Sequence, residues 1–362
     1  MRIGVLGGGQ LAQMLALAGH PLGLRLEFID PSAEACAASV AVQHQAAFDD
    51  LEALLRLAER VDCITYEFEN VPSRSLEFLA PRCTVYPPLA ALALGQDRLQ
   101  ENSLFRQLDI ATPDFVAIDG LDDLQRGMDQ IGLPALLKIR REGYDGKGQA
   151  VIRQPQDAAA AWAAIGQRAA ILEALVPFER EVSIIAARHP GGEVRCYPLT
   201  ENTHRQGILS RSIARPDDPM QPLAEEYIGR LLERLDYVGV LALELFQLGD
   251  RLLANEFAPR VHNSGHWTLN GAETSQFENH LRAVAGLPLG SPRALGPSAM
   301  LNCIGRMPPA AEVLTIEGAH LHDYGKQGRP GRKLGHINLS APDGAALEQA
   351  LAQAEAILQK GA

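Results

Sequence analysis

The chain opens with an apolar run, RIGVLG at 2–7, which passes through three glycines into the helix-period stretch LAQMLALAG at 11–19 and a second apolar run, LRLEFID at 24–30. That order predicts a strand–helix–strand unit of a parallel sheet, and VDCITYEF at 61–68 adds a further strand. The pattern breaks in TVYPPLAALALGQDRLQ, 84–100, where adjacent prolines predict a boundary near residue 98. ENSLFRQLDIATP then predicts a helix stopped before Pro113.

From residue 135 strands dominate. ALLKIR at 135–140 and QAVIR at 149–153 place the intervening RREGYDGKGQ segment at the tip of a strand pair. AILEAL, EVSIIAAR and EVRCYPL read as strands, and AEEYIGRLLERLDYVG as a helix with Tyr227, Leu231, Leu235 and Val238 on one face. VLALELF at 240–246 and RLLANEF at 251–257 follow as strands, SQFENHLRAVAG as a helix, and ALEQALAQAEAILQ as a closing helix. The alanines at 158–164 predict a surface helix rather than a low-complexity tract.

At 362 residues the chain exceeds one ordinary core, so two or three domains are expected, and 46% hydrophobic with 21% charged residues fits a soluble globular protein. Acidic residues outnumber basic ones 44 to 33, which disfavours a nucleic-acid partner and makes any local Lys/Arg cluster informative. The five cysteines are scattered without a C-x-x-C pair, which points to a reducing, cytoplasmic setting. No apolar run reaches the roughly 20 residues of a membrane span, and Gly7 to Gln10 interrupt what would otherwise resemble a secretory signal.

Four constellations carry candidate chemistry. In GGGQLA, Gly7, Gly9 and Ala12 satisfy G-x-G-x-x-G/A, with Asp30 about 20 residues on. A phosphate at the following helix N-terminus is the favoured reading; a dinucleotide site and a purely structural turn are the alternatives. Glu244 and Glu256 interrupt apolar strands, where ionised carboxylates need a partner, and with Asn255 and Asn263 they form an oxygen-rich set suited to Mg2+. Ion pairs with Arg251 and Arg260 are the competing explanation.

NEFAPRVHNSGHWT at 255–268 adds two histidines, but His262-x-x-x-His266 lacks the glutamate of a zinc helix and contains Gly265; His320-x-His322 reads as one inward and one outward side chain. YGKQGRPGRKLGHIN at 324–338 crowds Lys326, Arg329, Arg332 and Lys333 among glycines, as a second phosphate would require, or as a solvated basic loop. In the 140–149 loop, glycine backbone amides could follow phosphates, with Lys138 and Lys147 to neutralise a transferring phosphoryl group and Tyr144 and Asp145 to handle protons. An ordinary surface hairpin is the bland alternative.

GGGQL, TYEFENVP, GYDGKGQ, NEFAPRVHNSGHWT and RPGRKLGHIN, in this order, resemble the 5-(carboxyamino)imidazole ribonucleotide synthases of purine biosynthesis, a family of the ATP-grasp superfamily. The resemblance implies an α/β and α+β ATP-grasp fold with an N-terminal Rossmann-like parallel-sheet domain at 1–98, an ATP-grasp domain at 99–288 and a C-terminal domain at 289–362. It implies ATP and Mg2+ as cofactors, bicarbonate and 5-aminoimidazole ribonucleotide as substrates, carboxyphosphate as the intermediate and a homodimer as the assembly.

Residue by residue, the resemblance assigns ATP to Arg98, Lys138, the loop Gly143, Tyr144, Asp145, Gly146, Lys147, Gly148 and Gln149, the stretch Glu173, Ala174, Leu175 and Val176 against adenine, Glu181 at the ribose, His204, Asn255 and Glu256. Glu244 and Glu256 would hold the metal. Gln10, Leu11, Glu67, Asn263, Lys326, Arg332 and Lys333 would bind the ribonucleotide, the last three at its phosphate. Arg260 and His266 would hold bicarbonate, with Tyr144, Asp145 and Lys147 as further catalytic candidates. A formate-dependent glycinamide ribonucleotide transformylase, a nicotinamide oxidoreductase and a non-catalytic nucleotide-binding scaffold are the alternatives.

Overall fold

The computed structural model describes residues 1–143 and 146–360. Its first sheet is parallel, with five strands: β1 (Arg2–Leu6), β2 (Arg25–Asp30), β3 (Val42–Gln45), β4 (Cys63–Tyr66) and β5 (Thr84–Val85), in the order β3-β2-β1-β4-β5. Helices α1 (Gln10–Gly19), α2 (Leu51–Ala58), α3 (Ser73–Leu79) and α4 (Leu89–Gly95) connect and cover it. Strands buried on both faces explain why RIGVL and CITY read as continuous apolar runs rather than alternating ones. Asp50 starts α2 by accepting the backbone N–H groups of Glu52 and Ala53.

Helix α5 (Arg98–Gln107) leads into a small antiparallel sheet of β6 (Phe115–Ile118), β7 (Ala135–Ile139), β8 (Gln149–Ile152) and β9 (Ala170–Ala174), in the order β6-β9-β7-β8, backed by α6 (Leu121–Ile131) and α7 (Ala158–Ala164). α5 ends at Gln107, well short of Pro113. β7 and β8 pair with Lys138 opposite Gln149, so the glycine loop does stand at the tip of a strand pair. The alanine-rich α7 turns Ala158, Ala161 and Trp162 into the core.

The remaining strands form one sheet of nine: β10 (Arg180–Arg188), β11 (Val194–Cys196), β12 (Leu199–Arg205), β13 (Ile208–Arg215), β14 (Gly239–Leu248), β15 (Arg251–Ala258), β16 (Ser298–Ile304), β17 (Ala319–Asp323) and β18 (Lys333–Ser340). Helices α8 (Gln221–Arg234), α9 (Thr268–Gly271), α10 (Gln276–Val284), α11 (Ala310–Val313) and α12 (Gly344–Gln359) pack around it. α8 stops at Arg234, so Leu235 caps it and Val238 lies in the turn beyond, though both remain buried with Tyr227 and Leu231. The C-terminal strands β16–β18 are no separate sheet: β16 pairs with β13 and continues the central one. That continuity carries the basic 324–333 segment onto the same cleft as the glutamates of β14 and β15. Among the described residues no helix is long and apolar enough to cross a membrane.

Candidate functional site

A cleft of about 1210 Å³ opens between the small sheet, the central sheet and the N-terminal domain. Glu244 on β14 and Glu256 on β15 face each other directly in the antiparallel register, both on its wall. The register then slips, with Leu245 opposite Ala254, so Asn255 is the extra residue of a bulge. Strict alternation would turn Asn255 away from Glu256; the bulge brings both to the cleft.

Each carboxylate has a basic side chain beside it. His262 Nε2 stands 3.1 Å from Glu244, and Arg98 Nη1 donates to Glu256 at 2.8 Å. Burial acts to raise the Glu244 pKa, but the His262 hydrogen bond and the charges of His262, His204 and Lys333 outweigh it and hold Glu244 well below its ordinary value. An ionised carboxylate opposite a second one, with the Asn255 oxygen beside them, is a hard-oxygen donor set that fits Mg2+. Of the competing partners, Arg260 pairs instead with Glu69 at 2.7 Å, while Glu256 does meet an arginine, Arg98.

Above this floor, Lys138 reaches Glu173 at 2.6 Å and Asn255 Oδ1 at 3.2 Å. Gly143, Gly146, Lys147 and Gln149 line the cleft from the loop; Gly148 does not, since its left-handed backbone lies against Ile139, where a Cβ would collide with Cδ1. Tyr144 and Asp145 lie outside the described residues. Glu173, Ala174, Leu175 and Val176 line the opposite side, Glu181 pairs with His204, and Phe178 stacks on Phe246 at 4.8 Å. Flat apolar surface beside paired polar groups suits a purine nucleoside.

The far end gathers Gln10, Leu11, Glu67, Asn263, Lys326, Arg332 and Lys333 on one wall, joined by Arg329. Asn263 and Asn302 pair through their amides at 3.1 and 2.6 Å. The glycine turn needs a correction. Gly8 N–H donates to Asp30 at 2.8 Å and Gly9 N–H to Glu67 at 2.8 Å, so the chain's own carboxylates occupy the donors a phosphate would use and would repel it. Asp30 is likewise taken as a cap, also accepting from Ser32 N–H, which removes the dinucleotide reading. The role left for the turn is to seat Glu67, whose pKa burial raises.

His266 is a second correction: it is 1% exposed, does not line the cleft, and packs against Phe277 and His336. The turn at 263–265 sends His262 into the cleft and His266 into the core, a choice that no periodicity announces. His320 and His322 share one face of β17, as residues two apart must; only His322 is covered, stacked on His336 at 4.3 Å. Among the described residues there is no cluster of three or more His, Cys, Asp or Glu that could hold a metal ion. Sequence reading missed His262 as the Glu244 partner, Glu69 as the Arg260 partner, and Glu101, a 1% exposed carboxyl that accepts from Phe257 N–H at 2.7 Å.

Three domain families match in succession: ribonucleotide synthetase preATP-grasp domain over residues 1–96, ATP-grasp domain over 103–277, and phosphoribosylaminoimidazole carboxylase C-terminal domain over 298–350. The chain is 54% identical over 359 residues to an N5-carboxyaminoimidazole ribonucleotide synthase of Pseudomonas aeruginosa, covering 99% of this chain and 100% of that one. The N5-carboxyaminoimidazole ribonucleotide synthetase of Thermus thermophilus shares its fold at a TM-score of 0.95 and 55% identity, over 99% of both chains. An Aspergillus clavatus N5-carboxyaminoimidazole synthase in complex with ADP and 5-aminoimidazole ribonucleotide matches at a TM-score of 0.91 and 28% identity, over 99% of this chain and 98% of that one.

Proposed function

The chain belongs to the N5-carboxyaminoimidazole ribonucleotide synthase family of ATP-grasp enzymes, and on that premise we propose which of its residues carry each part of the reaction. The protein is an ATP-dependent carboxylating ligase of purine biosynthesis: bicarbonate takes the γ-phosphoryl group of ATP, and the exocyclic amine of 5-aminoimidazole ribonucleotide takes the carboxyl group. ADP and phosphate leave, and the amine gives up a proton. The observation that carries the site assignment is a single cleft with paired carboxylates on its floor and a basic cluster on its far wall.

Phe178, Phe246 and the Glu173–Val176 stretch hold adenine, and Glu181, set by His204, takes the ribose hydroxyls. Arg98, Lys138, Lys147 and the loop residues Gly143, Gly146 and Gln149 grip the phosphates. Glu244, Glu256 and Asn255 hold Mg2+, whose charge would offset that developing on the transferring phosphoryl group. Arg260, released from Glu69, and His262 orient bicarbonate; Tyr144 and Asp145 remain the proton-handling candidates, and His266 is withdrawn for want of access. Gln10, Leu11, Glu67 and Asn263 hold the ribonucleotide, with Lys326, Arg332 and Lys333 on its phosphate.

The three domains at 1–98, 99–288 and 289–362, a homodimeric assembly and a cytoplasmic setting complete the reading; the five cysteines, all unpaired, support the last. Transfer of label from bicarbonate, and not from formate, into the ribonucleotide tests the chemistry, and incorporation from formate would overturn it. Lys333→Ala is expected to raise KM for the ribonucleotide about tenfold while leaving KM for ATP within about twofold, since a charge-assisted phosphate contact is worth roughly 1.5–3 kcal/mol. Equal increases in both constants would move Lys333 to a structural role.

A further inference from the structure

Four cations of the cleft stand within ion-pair distance of a carboxylate: Arg98 at Glu256, Lys138 at Glu173, Arg140 at Asp97 and Arg260 at Glu69. Lys326 differs. Among the described residues its close contacts are neutral, the Gln10 amide oxygen at 2.5 Å and the face of the Tyr324 ring, 5.5 Å from Nζ to the centroid, with the Glu67 carboxyl as a more general charge influence. A half-buried ammonium loses part of its hydration, and an aromatic face restores some of it without cancelling the charge.

The backbone shapes this contact. β17 ends at Asp323, Tyr324 N–H donates to Leu334 O at 2.9 Å, and Gly325 takes a φ of 69° that brings Lys326 back over the ring two residues earlier. The ring itself cannot swing away, being 2% exposed with its hydroxyl bonded to His336 Nδ1 at 2.7 Å. His336 is in turn stacked on His322, whose Nε2 bonds Asn270 Oδ1 at 2.8 Å.

We propose that Tyr324 is a positioning residue for ribonucleotide binding: its anchored ring holds the Lys326 ammonium in place and aimed into the cleft for the dianionic phosphate. This rests on the assignment of Lys326 to that phosphate. Gln10, the first residue of α1, bonds the same ammonium and so ties the N-terminal domain to the same point.

The test replaces Tyr324 with phenylalanine and with progressively fluorinated phenylalanines, which keep the ring's shape while draining negative charge from its face. Tyr324→Phe keeps the buried ring but loses the His336 bond and is the reference for the series; relative to it the trifluorinated ring should raise KM for the ribonucleotide about three- to fivefold, with intermediate values between and KM for ATP unchanged. Lys326→Ala is measured alongside. A flat series, with KM for the ribonucleotide raised in Lys326→Ala, overturns the role of Tyr324 alone. An unchanged KM in Lys326→Ala overturns the assignment of Lys326 and this proposal with it.

Discussion

Glu256→Gln is expected to lower kcat for ADP formation by about a thousandfold while the protein stays folded. The substitution keeps size and hydrogen-bonding shape, and with 39% of its side chain exposed Glu256 is not itself a buried group. Arg98 keeps an oxygen to bond. What is lost is one of the two charges that face each other across β14 and β15, and with it the hold on the metal that phosphoryl transfer requires. Thermal unfolding and steady-state ADP release on the same preparation check both halves. A rate within tenfold of the parent would take Glu256 out of the metal site.

The second large effect is on stability in acid. His280 is 1% exposed, and Val240 N–H donates to its Nδ1 at 3.1 Å, so that nitrogen must be unprotonated and Nε2 is left to donate to Thr65 Oγ1 at 2.8 Å. Burial lowers its pKa to about 4. The unfolded chain therefore binds a proton near pH 6.5 that the folded chain refuses until about 4, and stability falls as pH drops through that window, by about 2 kcal/mol from this one residue at pH 5.

His266, His322 and His336, all lowered chiefly by burial, act in the same direction; Glu67 and Glu101, raised by burial, act against it. His280→Asn isolates the contribution, because its Oδ1 can take the Val240 N–H and does not titrate. Denaturant unfolding at pH 7.5 and pH 5 should show the pH-dependent loss smaller by about 2 kcal/mol in the variant. An identical loss in both proteins would mean that His280 is not held neutral.

Much of the site was legible in local pattern. Glu244 and Glu256 stand out because carboxylates in apolar strands demand a partner, and the pairing of β7 with β8 follows from apolar runs on either side of a glycine-rich segment. The parts that were not legible depend on contacts far apart in the chain. The glycine turn has the spacing of a phosphate loop, and only Asp30 and Glu67 folding back onto its amides make it something else. His262 and His266 look equivalent until a short turn divides them between cleft and core.

Nor could alternation foresee a bulge at Asn255, which puts two neighbouring residues on one wall. The continuity of β16–β18 with the central sheet was hidden for a similar reason, since strand order is a tertiary fact: nothing in the apolar pattern of SAMLNCI says that its neighbour will be β13.

The most direct measurement of the central claim is ADP release from Mg-ATP and bicarbonate, with and without 5-aminoimidazole ribonucleotide. Reading the paired carboxylates as the metal site and the basic cluster as the ribonucleotide's phosphate site, in one cleft, predicts strong stimulation by the ribonucleotide, with one ADP formed for each amine carboxylated. ADP release that ignores the ribonucleotide, or none at all, would contradict it.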